Sequence, residues 1–146
     1  MKKYLLLPLF VFVMLSCDED EERASIVGSW SGDEAFVEVK YGVVPLYTDD
    51  RQVFKATLTF NEDGTVTLRD DTDGTTTTGT YTLSDDDLTT DVDFELYDLS
   101  GPLTFKVNRL TEQRLELQLD EQREANIQGY GDITIDIIGH LHFDRN

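Results

Sequence analysis

Three groups of side chains in this sequence are equipped for chemistry. His140 and His142 lie two apart in "GHLHF", so on an extended strand both imidazoles project from one face, as paired metal ligands do, with Asp136 on the same side. The competing reading is a row of polar side chains on the outward face of a last strand, and it prevails: no metal is expected. Asp70, Asp71, Asp73 and Gly74, and again Asp85, Asp86 and Asp87, offer the oxygen donors that calcium takes. A helix–loop–helix calcium loop ends in a bidentate Glu at its twelfth position, and counted from Asp71 that place is Thr82. These turns therefore read as solvated hairpin tips. Arg109 shares the phase of Phe105 and Val107 near a strand end, where its planar fork would meet a carboxylate such as that of a fatty acid; otherwise it reaches into water. Phe54, Phe94, Phe105 and Tyr81 would give such a ligand an apolar lining. No Gly-x-Ser-x-Gly, phosphate-binding loop, His-Glu-x-x-His or dinucleotide fingerprint occurs. The acids fall in turns and on outward faces, where water leaves them ordinary, so neither an enzyme nor a cofactor is expected.

The elements that must position these groups are strands. Apolar residues recur with period two almost everywhere. In "QVFKATLTF" Phe54, Ala56, Leu58 and Phe60 share one face, and "NEDG" then supplies a hairpin turn through Asp63 and Gly64. Val66 and Leu68, then Tyr81 and Leu83, continue the pattern, and "LTTDVDFEL" aligns Leu88, Val92, Phe94 and Leu96. "LTFKV", "RLELQL" and "DITIDIIGHLHF" complete the run, and with a strand around residues 30–41, broken in phase near Gly32-Asp33, eight strands are expected. The short links between successive strands favour an up-and-down closed antiparallel barrel over a two-sheet sandwich, and closure removes the edge strands. Outward Lys55, Arg69, Asp91, Asp93, Glu95 and Lys106 argue against a barrel embedded in lipid. The inward residues are mostly large aliphatics and Phe, which predicts a largely filled interior with at most a modest pocket at the open end.

Ahead of this domain, Lys2 and Lys3 precede an apolar run over residues 4–15. That is the pattern of a cleaved signal peptide, and the run is shorter than the roughly 20 residues a membrane-spanning helix needs. The chain has one Cys, so no internal disulfide forms. Leu15-Ser16-Cys17 resembles the end of a bacterial lipobox, although Met14 stands where that motif usually has Leu. The resemblance implies a signal peptide over 1–16 and a lipid-bearing Cys17; the alternative is an ordinary leader followed by an unpaired thiol. Asp18, Glu19, Asp20, Glu21 and Glu22 cannot pack and make residues 17–25 a solvated tether. An acidic run directly after the lipidated Cys is also similar to the surface-export signal of Bacteroidetes lipoproteins; the plainer alternative is a spacer. With 30 acids against 12 basic residues the net charge is −18, which excludes nucleic acid as a partner and leaves membrane contact to the N-terminal lipid alone.

Gly28-Ser29-Trp30, at the start of the first strand, resembles the Gly-x-Trp of the lipocalins, and "TFNEDGTVTL" with "GTYTLSDDDLT" resembles the lipocalin-like domains of bacterial lipoproteins. The likeness runs over most of residues 26–146 and implies an eight-stranded lipocalin-like, or calycin-like, barrel. It further implies that Arg145 lies across Trp30 at the barrel's base, where a guanidinium stacked on indole contributes on the order of 1 kcal/mol. The expected function is binding of a small hydrophobic ligand by an outer-membrane lipoprotein facing the cell exterior. The alternative is a filled barrel that contacts a cell-surface protein.

Overall fold

A computed structural model of the chain describes residues 24–51, 55–94, 101–127 and 131–146, and every regular element in it is a strand. These are β1 (Gly28–Tyr41), β2 (Val44–Arg51), β3 (Ala56–Phe60), β4 (Thr65–Asp70), β5 (Thr76–Ser84), β6 (Asp87–Thr90), β7 (Leu103–Leu110), β8 (Arg114–Ile127) and β9 (Gly131–Arg145). All pairings are antiparallel, β3 to β8 each pair with the next strand in the chain, and β1 pairs with β9 to close the barrel.

Nine elements make eight staves. β2 pairs with β1 from Ala35 to Tyr41, and β3 pairs with β1 from Gly28 to Ser31, so the two lie one after the other along a single edge of β1. β2 is the strand that alternation does not predict, because Pro45 and the Asp49-Asp50 pair look like turn residues. At the other end of the chain, β8 runs on to Ile127, well past the expected Leu119, while β6 stops at Thr90. The result is a barrel with a tall wall of β2, β1, β9 and β8 and a shorter wall of β3 to β7.

Local chemistry accounts for the strands. In β7, Leu103, Phe105 and Val107 are buried while Thr104 and Lys106 are exposed, and β3 alternates in the same way. The β3–β4 turn is fixed by Gly64 at φ 83°, by Gly64 N–H donating to Asn61 O, and by the Asp63 carboxylate accepting from the Thr65 N–H and hydroxyl. These bonds hold the Asp63 carboxyl below its ordinary range. At the barrel's base Trp30, Phe60, Phe143, Leu58, Leu115 and Leu141 are essentially solvent-free. Burying each such side chain fully contributes roughly 1.5–3 kcal/mol.

Bulges on β1 and β7 set which way side chains face. Asp33 is the extra residue of β1 against β9, at the Gly32-Asp33 break in phase. Asn108 is extra in β7 against β8, so Arg109 opposes Glu116 and Leu110 opposes Leu115. Arg109 is thereby turned outward, contrary to its expected inward phase: its side chain is 58% exposed, 3.7 Å from Glu116.

Just beyond β6, Asp91 binds the backbone of β5. Its carboxylate accepts from the Thr80 N–H and hydroxyl, and its own N–H donates to Thr80 O. The bond from the Thr80 N–H is the main cause of its lowered pKa. A carboxyl whose folded pKa lies below the unfolded value of about 3.9 stabilises the fold above that value, and the contribution disappears as pH falls through the folded pKa. Asp91→Asn should therefore melt below the wild type at neutral pH, and the gap should narrow as the pH falls below the ordinary carboxyl range. A pH-independent gap in melting temperature would contradict this role.

Candidate functional site

The two ends of the barrel differ in kind. At the base, Gly28 takes φ +138°, and a Cβ there would stand 2.9 Å from Arg145 Nη2. The missing side chain lets the guanidinium pass over the Trp30 ring, 4.8 Å from its centroid. Arg145 also donates to the carbonyls of Ser25 and Val27 and reaches Glu112, while Trp30 Nε1 donates to Ile26 O at 2.8 Å. Gly28, Trp30 and Arg145 thus form one contact set that joins the first strand, the last strand and the segment leading in. Trp30 is fully buried, so its indole is closed to a ligand.

The open end is built by the tall wall. The β8–β9 register is constant from Arg114 to Ile127, so the inward face that carries Leu115, Leu117 and Leu119 continues through Glu121 and Arg123, opposite Ile137 and Ile135. On β1 the same face carries Val37 and then Val39, which opposes Ile137. Burial fades along this wall. Val37 and Ile137 belong to the core, Val39 and Ile135 are half-buried against it, and Tyr41, Val44 and Tyr47 at the tip are exposed. Among the described residues, the large hydrophobics that stand exposed all lie between Tyr41 and Tyr47.

The residues expected to line a ligand pocket are distributed otherwise. Phe105 and Phe94 meet edge to face with centroids 5.4 Å apart, and both are buried parts of the core. Tyr81 sits near the base, packs on the edge of Phe60 at 4.9 Å, and donates its hydroxyl to Asn61 O at 2.9 Å. Desolvation, with repulsion from Asp63 and Glu62, raises its phenol pKa. Tyr81 is thus placed at the base, and Arg109 is outside the barrel. Phe54, like Cys17 and the acids Asp18, Glu19, Asp20, Glu21 and Glu22, lies outside the described residues.

The other chemically equipped groups are on outer surfaces. His142 Nδ1 lies 3.3 Å from Glu34 and from Arg114 Nη2, and His140 packs near the Phe36 ring. Arg114 ties β1, β8 and β9 together through Asp33, Glu116 and Asp144, each at 3.2 Å. In the β4–β5 turn the Asp70 carboxylate accepts from Thr72 N–H, that of Asp73 from Thr75 N–H, and that of Asp71 from the Thr57 hydroxyl and Arg69. Those carboxylates are spent on turn geometry. Among the described residues no group of three or more His, Cys, Asp or Glu is arranged to hold a metal.

Glu121 and Arg123, the charged pair on the inner wall, were not legible as site residues, because "DEQREAN" reads as a polar loop once "RLELQL" ends. The usable signal was in β9: Ile133 and Ile135 extend its alternation beyond the expected partner and require β8 to continue beside them.

A family model described as "Lipocalin-like domain" matches residues 26–117. Among solved structures, an uncharacterized protein from Bacteroides eggerthii is similar at 17% identity, with a TM-score of 0.51 over 84% of this chain and 100% of the other. A lipocalin-like protein from Bacteroides uniformis aligns at 21% identity and a TM-score of 0.43 over 77% of this chain and 94% of its own. No curated protein matches the chain at a significant level.

Proposed function

The chain belongs to the lipocalin-like domain family, and on that basis we propose that it is a lipid-anchored protein of the outer-membrane surface that binds a small apolar ligand at the open end of its barrel. The observation that carries the ligand reading is the tall inner wall. Its apolar side chains pass from buried Ile137 through half-buried Val39 and Ile135 to exposed Tyr41, Val44 and Tyr47. Sites for small molecules are mostly apolar and largely pre-formed, and a filled lower barrel with an apolar upper wall suits a ligand held near the mouth. Val39→Asp should weaken binding of an anilinonaphthalene sulfonate, followed by its fluorescence, at least about tenfold, since an apolar ligand would then have to desolvate a carboxylate. Unchanged binding with an intact fold would remove the inner wall from the site.

The anchoring reading rests on the leader, Cys17 and the acids after it. Cys17→Ala should abolish incorporation of radiolabelled palmitate into the protein; persistent label would rule out this anchor.

A second reading, contact with another cell-surface protein, is favoured by Val43 and Leu46. They are 95% and 45% exposed at the β1–β2 hairpin, Val43 in the turn and Leu46 at a break in the strand register, so they extend the apolar tip beyond the inner wall.

A further inference from the structure

The β1–β2 hairpin ends the tall wall in consecutive exposed residues from Tyr41 to Thr48, and none of them is charged. Tyr41 pairs with Val44 across a two-residue turn in which Gly42 takes φ 58°, the backbone that a tight hairpin needs. Tyr41 and Val44 face the same way as the inner wall, as does Tyr47, which opposes Val39. Val43 in the turn and Leu46 at the break in register have no place in that alternation, so neither the core nor a ligand inside the barrel accounts for their apolar character. Pro45, next to Leu46, has no N–H to desolvate.

Size and charge decide what covers such a tip. Its exposed large hydrophobics are Tyr41, Val43, Val44, Leu46 and Tyr47, far short of the roughly 20 residues a side that a stable protein–protein interface uses. A bilayer sets no such minimum: it takes aliphatic side chains below the head groups and holds tyrosines at their level. In this hairpin Tyr41 and Tyr47 flank the three aliphatics in the sequence. A paired hairpin also carries few unbonded backbone groups into the interface. The net charge of −18 selects the kind of surface, since it repels anionic lipid, while the uncharged tip suits a surface without net charge. We propose that the β1–β2 tip docks on a bilayer of zwitterionic phospholipid, with Val43, Val44 and Leu46 in the interfacial layer and the open end of the barrel toward it. This contact goes beyond the open-end reading and does not depend on it.

Residues 18–146 contain every described strand and no cysteine, so Val43→Cys offers a single attachment point for an environment-sensitive fluorophore. On titration with phosphatidylcholine vesicles its emission should shift to the blue, with half of the protein bound at about 1 mM lipid or less, the range of weak reversible anchoring. The same label on Thr78→Cys, on the exposed face of β5, should not respond. Phosphatidylglycerol in the vesicles should weaken binding several-fold at low salt, and added salt should restore it. Val43→Asp should reduce flotation with the vesicles at least about tenfold. Its thermal melt, and its anilinonaphthalene sulfonate binding without vesicles, should match the wild type because Val39 and the inner wall are intact. A silent label on Val43→Cys, an equal response from Thr78→Cys, or a Val43→Asp protein that floats like the wild type would overturn the bilayer assignment and leave the open-end site standing. Binding that requires phosphatidylglycerol would overturn the choice of a zwitterionic surface.

Discussion

Trp30→Ala is expected to cost about 3–5 kcal/mol, the range for deleting a large buried aromatic, and for a domain of this size that lowers the melting temperature by roughly 12–20 °C. The loss is more than a cavity. Trp30 is fully buried, its Nε1 holds the Ile26 carbonyl, and its face supports Arg145, which in turn binds the Ser25 and Val27 carbonyls. Removing the indole therefore loosens the junction of the first strand, the last strand and the incoming chain together. A drop of only a few degrees in a thermal melt followed by circular dichroism would mean that the base is held by the surrounding aliphatics instead.

Gly79→Ala should be nearly as damaging, although it adds a single methyl group on a strand. The new Cβ would stand 2.5 Å from Asp91 Oδ1, 2.7 Å from Val92 N and 2.9 Å from Val92 Cα. Two of these are backbone atoms, which no rotamer change can move. The segment after β6 would have to retreat, taking with it the carboxylate that binds Thr80 and the buried side chain of Val92. Overpacking of this kind typically costs 1–3 kcal/mol, and the loosened hydrogen bonds bring the expected total to about 3 kcal/mol. A midpoint of urea denaturation within error of the wild type would contradict so close a contact.

The fold was legible in the sequence to the extent that it depends on alternation and on local turn chemistry. β3, β4, β5, β7 and β9 are each written as apolar and polar residues in turn, and Asp63-Gly64 marks its hairpin. Closure was legible for another reason: Gly28, Trp30 and Arg145 make a short motif at two chain positions that only a closed barrel brings together. What escaped was set by the partner strand. β2 carries Pro45 and Asp49-Asp50 and owes its extended form to the β1 edge it pairs with. Asn108 leaves no compositional trace as a bulge, yet by adding one residue it turns Arg109 from the inside of the barrel to the outside. Glu121 and Arg123 were hidden for the converse reason, since charged residues after an apolar run look like the end of a strand, while the β9 ladder holds them in phase to Ile127.

The measurement that bears most directly on ligand binding at the open end is a native mass spectrum. Residues 18–146, produced without the lipid and incubated with a total lipid extract of the host, should carry a discrete adduct of a few hundred daltons. Val39→Asp should lose that adduct while still showing the charge-state distribution of a folded protein. A wild-type protein that stays bare under gentle ionisation would contradict the ligand reading and leave the exposed β1–β2 hairpin as the surface on which this barrel acts.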